Sequence, residues 1–171
     1  MLVRWWLGAT VYKEPTVCNQ CGQPNDECGY HALICRCSGG RVHRHHAICN
    51  TTVQYLQQAH ANPRREASFD GVTRPADVYV PVWKAGTHLA LDFAVTHPLQ
   101  PLSLDHAGDC QPGVWAAEYA RRHKSKYAAP LVAKGITFAP MVVETYGSWD
   151  PAAMKVLVDI AEMYAVHQNV A

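Results

Sequence analysis

The residues best able to do chemistry lie between Arg74 and Pro98, RPADVYVPVWKAGTHLALDFAVTHP, where two aspartates stand on two adjacent strand-like runs with little other charge around them. Asp77 sits in ADVYV and Asp92 in HLALDFAV. Both runs are rich in Val, Leu, Phe and Tyr, and the Lys-Ala-Gly-Thr segment between them predicts a hairpin turn. On the second run a period of two puts Leu89, Leu91, Phe93 and Val95 on one face, so Asp92 falls on the other with Ala90 and Ala94. These small neighbours leave room beside the carboxylate for a metal or a backbone. Two carboxylates delivered in this way suit metal-dependent phosphodiester chemistry. Solvent-facing aspartates of ordinary strands would leave the same pattern, because Asp in a strand is merely uncommon.

A second constellation precedes the acids, in CNQCGQPNDECGYHALICRC. Cys18 and Cys21 have two residues between them, close enough for both thiolates to reach one metal, and His31 and Cys35 are one helical turn apart. Three thiolates and one imidazole make a tetrahedral zinc site with no open position, hence a structural one. Cys28 and Cys37 could each replace a ligand, and reduced free cysteines are the other reading. The chain has seven cysteines, an odd number, and its N-terminal apolar run is too short for a signal-peptide core or a membrane span, so metal is expected rather than disulfides. A soluble, intracellular protein is expected.

These residues need elements to position them. With 171 residues and 49% apolar composition the chain suits one globular domain with a real core. Ile48, Thr52, Leu56 and Ala59 recur at helical spacing, which predicts a helix over 45–61 ending before Asn62-Pro63. Its basic start, Arg44, His45 and His46, could approach phosphate, orient the zinc site, or be a solvated helix end. Glu66 stands just ahead of the first acidic run, where a third acid would repel the other two unless cations bind. The stretch after Pro98 reads as a loop. From Val114 to about Lys134 a helix is predicted, with Ala116, Tyr119, Ala120, His123 and Tyr127 buried and Pro130 a kink or break. Glu118, Arg122 and Lys126 step by four along its polar side, a pattern that a solvated face with ion pairs also gives. GITFAPMVVETYG is a third strand, and Asp150-Pro151 starts a last helix with Met154, Leu157, Val158, Ala161 and Ala165 as its apolar stripe. The net charge of +1 gives no overall basic excess, although RREASF, RVHRHH and ARRHKSK are local basic clusters.

Together these features resemble the restriction-like endonuclease domain of site-specific non-LTR retrotransposons, a branch of the PD-(D/E)xK nuclease superfamily. The likeness runs from about residue 15 to 165. It rests on Cys18, Cys21, His31 and Cys35 as the zinc knuckle, Arg44-His45-His46 near the family's Arg-His-Asn, Arg74-Pro75-Ala76-Asp77, Asp92, and Lys126-Tyr127. The resemblance implies an α/β (α+β) core, a central mixed sheet flanked by helices, over 45–171, preceded by the zinc-bearing segment 1–44. It implies a metal-dependent DNA endonuclease that nicks DNA to leave a 5′ phosphate and a 3′ hydroxyl. Asp77 and Asp92, with a backbone carbonyl near Phe93, would hold magnesium or manganese; Glu66 could complete the cluster and Lys126 would position the attacking water. Ala94 stands where the superfamily places its strand lysine, so the cation must come from the helix, with Lys124 the rival to Lys126. Arg44, His45, Arg74, Arg122 and Lys124 would grip the DNA backbone. A nuclear location, no membrane, and a homodimer for cutting both strands follow as expectations. A zinc-stabilised DNA-binding module that has lost cleavage is the competing function, and a zinc-bearing protein-interaction domain is a third.

Overall fold

The computed structural model describes residues 4, 7, 9–14, 16–66, 76–98 and 111–169. The chain forms two compact units, Met1–His45 and His46–Ala171. None of the described helices is long and apolar enough to cross a membrane.

In the first unit a two-stranded ribbon, β1 (Thr16–Val17) and β2 (Pro24–Asn25), leads to the short helix α1 (Tyr30–Ile34) and then to the start of α2 (Gly40–Gln58). Asp26 starts α1: its carboxylate accepts from the amides of Tyr30 at 2.9 Å and His31 at 2.7 Å. Burial works against ionisation of Asp26, but these two amides prevail and hold its carboxyl below the ordinary carboxylate range. Among the described residues of this unit the only buried apolar side chain is that of Cys35.

The second unit is built on a four-stranded sheet in the order β3 (Arg64–Arg65), β4 (Val78–Val80), β5 (His88–Thr96), β6 (Ile136–Glu144). The pairs β3–β4 and β4–β5 are antiparallel, while β5 and β6 run parallel over nine residues each, so the sheet is mixed. The turn between β4 and β5 is a 3₁₀ turn at Lys84–Gly86 in which Ala85 takes φ 54°. The parallel pair needs a crossover, and its described part is helical. It comprises α3 (Val114–Tyr119), a π turn at Ala120–Lys124, a 3₁₀ turn at Ser125–Tyr127 and α4 (Ala128–Val132). The helix α5 (Pro151–Gln168) closes the unit, with Asp150 accepting from Ala152 N at 3.3 Å as its cap.

The central strand β5 is covered on both faces. Leu89, Leu91 and Phe93 join Cys49 and Leu56 of α2 and Ala153 and Ile160 of α5 in the larger core. On the opposite face Ala90 packs with Leu131 and Ile136, and Ala94 packs with Ala116, Ala120 and Val142. Asp92 lies between those two alanines and divides that apolar layer.

Three expectations are corrected. α2 begins at Gly40 rather than 45 and ends at Gln58, because His60 and Asn62 turn left-handed at φ 56° and 50°. In the crossover Ala116 and Ala120 are buried, but His123 and Tyr127 are exposed. The π turn adds one residue to the helical phase, so Lys124 and Ala128 turn toward the sheet in their place. In α5 the inward residues are Ala153, Val156, Leu157, Ile160 and Met163, whereas Met154 and Val158 are each 49% exposed. The loop expected after Pro98 lies largely in 99–110, outside the described residues.

Gly113 starts α3 at φ 84°, and a Cβ there would stand 2.4 Å from the carbonyl oxygen of Trp149. Both the backbone angle and the close approach demand glycine. We expect Gly113→Ala to cost about 2 kcal/mol or more, read as a lower midpoint in urea with an unchanged slope.

Candidate functional site

Pairing of β4 with β5 brings the two aspartates together. Val78 lies opposite Leu91, and the amide of Asp77 continues the ladder by donating to the carbonyl of Leu91 at 3.0 Å, so Asp77 falls beside Asp92. Asp77 Oδ2 accepts from the amide of Phe93 at 2.7 Å. Like charges across an antiparallel pair are destabilising, so a purely structural role gives little reason for this placement. Burial raises the carboxyl of Asp92 above the ordinary carboxylate range; Lys124 opposes the rise and Asp77 adds to it.

The cation is supplied by the π turn. Lys124 Nζ stands 2.8 Å from Asp92 Oδ2 and 3.4 Å from the carbonyl oxygen of Phe93, and the two side chains are only 15% and 13% exposed. Lys126, two residues on, is exposed and lies 5.0 Å over the ring of Tyr127. Glu66 donates its amide to the carbonyl of Asp77 at 2.9 Å from a left-handed backbone at φ 49°, and its side chain is exposed. Sequence reasoning passed over two neighbours. Arg65 is tied to Asn50 Oδ1 by Nη1, and Cys49 is fully buried close enough to feel both acids, its thiol pushed up to about 12 chiefly by burial. The asparagine could have been found one turn along the α2 face from the basic start; β3 had no periodic signal to reveal it. Carboxylate and carbonyl oxygens from Asp77, Asp92 and Phe93 form a hard donor set of the kind that suits a magnesium-sized divalent cation.

The other expected contacts with phosphate fall out differently. Arg122 Nε bonds Glu118, which Arg121 also holds at 2.8 Å; Arg121 first and then Arg122 lower the Glu118 carboxyl to about 2. Arg44 Nη2 donates to the carbonyl of Leu33 at 2.5 Å, bracing the helical turn between His31 and Cys35. His45 is half-buried on α2, and Arg74 lies outside the described residues.

In the first unit Cys18, Cys21, His31 and Cys35 offer ligand atoms that all lie within 4.8 Å of one another. The Cys18–Cys35 and Cys21–Cys35 sulfurs are 3.8 and 3.7 Å apart, and Cys21 Sγ is 3.1 Å from His31 Nε2. A zinc tetrahedron with Zn–S of about 2.3 Å has sulfur–sulfur edges of about 3.8 Å, so this cluster can hold a metal such as zinc. Amides of Gln20 and Cys21 draw the Cys18 thiol down to about 6, ready to ligate at neutral pH. His31 is shifted up, first by its hydrogen bond to Cys18. Cys28 and Cys37 stand outside the cluster.

Compared with known proteins, the chain matches no family model and no curated protein sequence.

Proposed function

We propose that the protein is a divalent-metal-dependent DNA endonuclease of the restriction-like type, with a zinc-stabilised N-terminal unit. One observation carries this reading: Asp77 and Asp92 are brought side by side on neighbouring strands with Lys124 directly on Asp92. A pure binding surface for DNA has no use for two adjoining carboxylates, which repel phosphate.

In this reading Asp77, Asp92 and the carbonyl of Phe93 hold magnesium or manganese, which when bound supplies electrophilic assistance at phosphorus and stabilises charge on the leaving oxygen. The chain's own residues do the rest. The Phe93 amide fixes one oxygen of Asp77, so that carboxylate keeps its orientation. Lys124, rather than the exposed Lys126, is the cation placed to hold and polarise a water beside the scissile phosphate. The basic clusters grip the DNA backbone, two copies together would cut both strands, and a DNA substrate would place the work in the nucleus.

Nicking of supercoiled plasmid with magnesium or manganese tests the reading, beside an EDTA control. We expect metal-dependent conversion to open circles, and a greater loss with Lys124→Ala than with Lys126→Ala. DNA bound but never cleaved, with any metal, would leave a zinc-stabilised DNA-binding module instead.

A further inference from the structure

We propose that Lys124 is a resident counter-ion occupying the cation position of the acidic site, so that a divalent metal enters only by displacing it. This rests on the metal-centre reading above and adds to it a competition built into the chain. Lys124 Nζ is shared between Asp92 Oδ2 at 2.8 Å and the Phe93 carbonyl at 3.4 Å. Those are two of the three oxygens that would hold the metal. An ammonium and a divalent ion drawn to the same two groups repel each other at close range, so each binds at the other's expense.

Two further features fit a lysine that must move. First, unlike an isolated surface pair, this one is nearly covered, so water does not neutralise Asp92 in the ammonium's place. Lys124 also opposes the repulsion that Asp77 exerts on Asp92 across the strand pair, which favours the ammonium's place there. Second, Lys124 is the last residue of the π turn, next to a 3₁₀ turn rather than inside a regular helix. Such π turns recur at functional sites, and the four side-chain torsions of a lysine let its ammonium swing away while the backbone stays in place. Ser125 Oγ donates to the carbonyl of Arg121 at 2.7 Å, holding the backbone while the side chain moves. Metal loading then also releases the lysine for the phosphate, which ties the arrival of one to the availability of the other.

The test is manganese binding to the zinc-loaded full chain by calorimetry at neutral pH, for wild type, Lys124→Met and Asp92→Asn. Competition predicts that Lys124→Met binds manganese about tenfold or more tighter than wild type, a usual size for coupling between two ligands, and that Asp92→Asn does not bind it at the site. Equal or weaker binding by Lys124→Met overturns the competition while leaving the metal centre standing. No manganese bound by wild type or Lys124→Met removes the metal centre itself and the competition with it. A second measurement needs no variant: acetylation of Lys124, mapped by mass spectrometry on the native chain, should speed up when manganese is added. Unchanged or slower acetylation in protein shown to bind manganese overturns the displacement.

Discussion

Asp92→Ala is expected to lower plasmid nicking by at least about a thousandfold, roughly 4 kcal/mol of barrier, with DNA affinity in the absence of metal changed by only a few-fold. The size follows from what the side chain does at once. It supplies a ligand to the proposed metal, faces the second carboxylate, and holds Lys124. Removing it takes away the metal site and frees the lysine together, so the loss should not be rescued by raising the metal concentration. DNA affinity is the discriminating control, because phosphate contacts come from basic side chains elsewhere and a carboxylate contributes nothing favourable to them. Gel shifts in EDTA beside the nicking assay read both quantities. Nicking within tenfold of wild type would show that the acid pair is not the reactive centre.

The same residue fixes a pH dependence. Burial raises the Asp92 carboxyl in the folded chain above its unfolded value, so between the two the native state binds more protons than the unfolded state. By linkage the metal-free protein then loses stability as pH rises through that window, the reverse of an ordinary salt-bridged aspartate. A divalent ion needs the ionised form, so its stabilising effect should be larger at neutral than at mildly acid pH. Thermal unfolding with and without manganese across that range checks the sign. A larger shift at acid pH would mean that Asp92 does not bind the ion.

The acid pair was legible because strands carry a period of two: the alternation around Asp92, and a short turn between two strand-like runs, were enough to put both carboxylates on neighbouring strands. The gathering of Cys18, Cys21, His31 and Cys35 was legible for a similar reason, since ligand spacing within a short segment is a local geometric demand. What could not be read depended on phase. From Ala116 and Ala120 an ideal helix leads to His123 and Tyr127, and only the extra residue of the π turn brings Lys124 inward instead. No residue type announces a π turn, so pattern alone favoured the wrong side of that helix. The helix α5 failed differently. It is apolar around much of its circumference, so a stripe through Met154 and Val158 and a stripe through Ala153 and Ile160 were both available, one residue apart in phase. The sheet chose between them by packing, and packing is not a local property. β3 is only two residues long and follows two left-handed positions, too short for any period to show.

If the Cys18, Cys21, His31 and Cys35 cluster holds zinc as proposed, stripping it should unfold the first unit and leave the second intact. The described part of Met1–His45 buries no apolar side chain except Cys35, which is itself a ligand candidate. A ribbon with two residues in each strand and a five-residue helix cannot sustain themselves on hydrogen bonds, which add only about 1 kcal/mol each net against an ordering cost of similar size per residue. Structural zinc, worth of the order of 10 kcal/mol in small zinc modules, would be large enough to hold the described elements. The core of the second unit, by contrast, draws on no described residue before Ile48. We therefore expect one zinc per chain, and none after Cys35→Ala. On chelation with a thiol-reactive reagent, amide protection should vanish over residues 16–39 and persist in β5 and β6. Cys28→Ser and Cys37→Ser, outside the cluster, should both keep their zinc. Protection that survives chelation in the first unit would mean that its fold has a source of stability other than the metal, and zinc lost from either serine variant would move that residue into the ligand set.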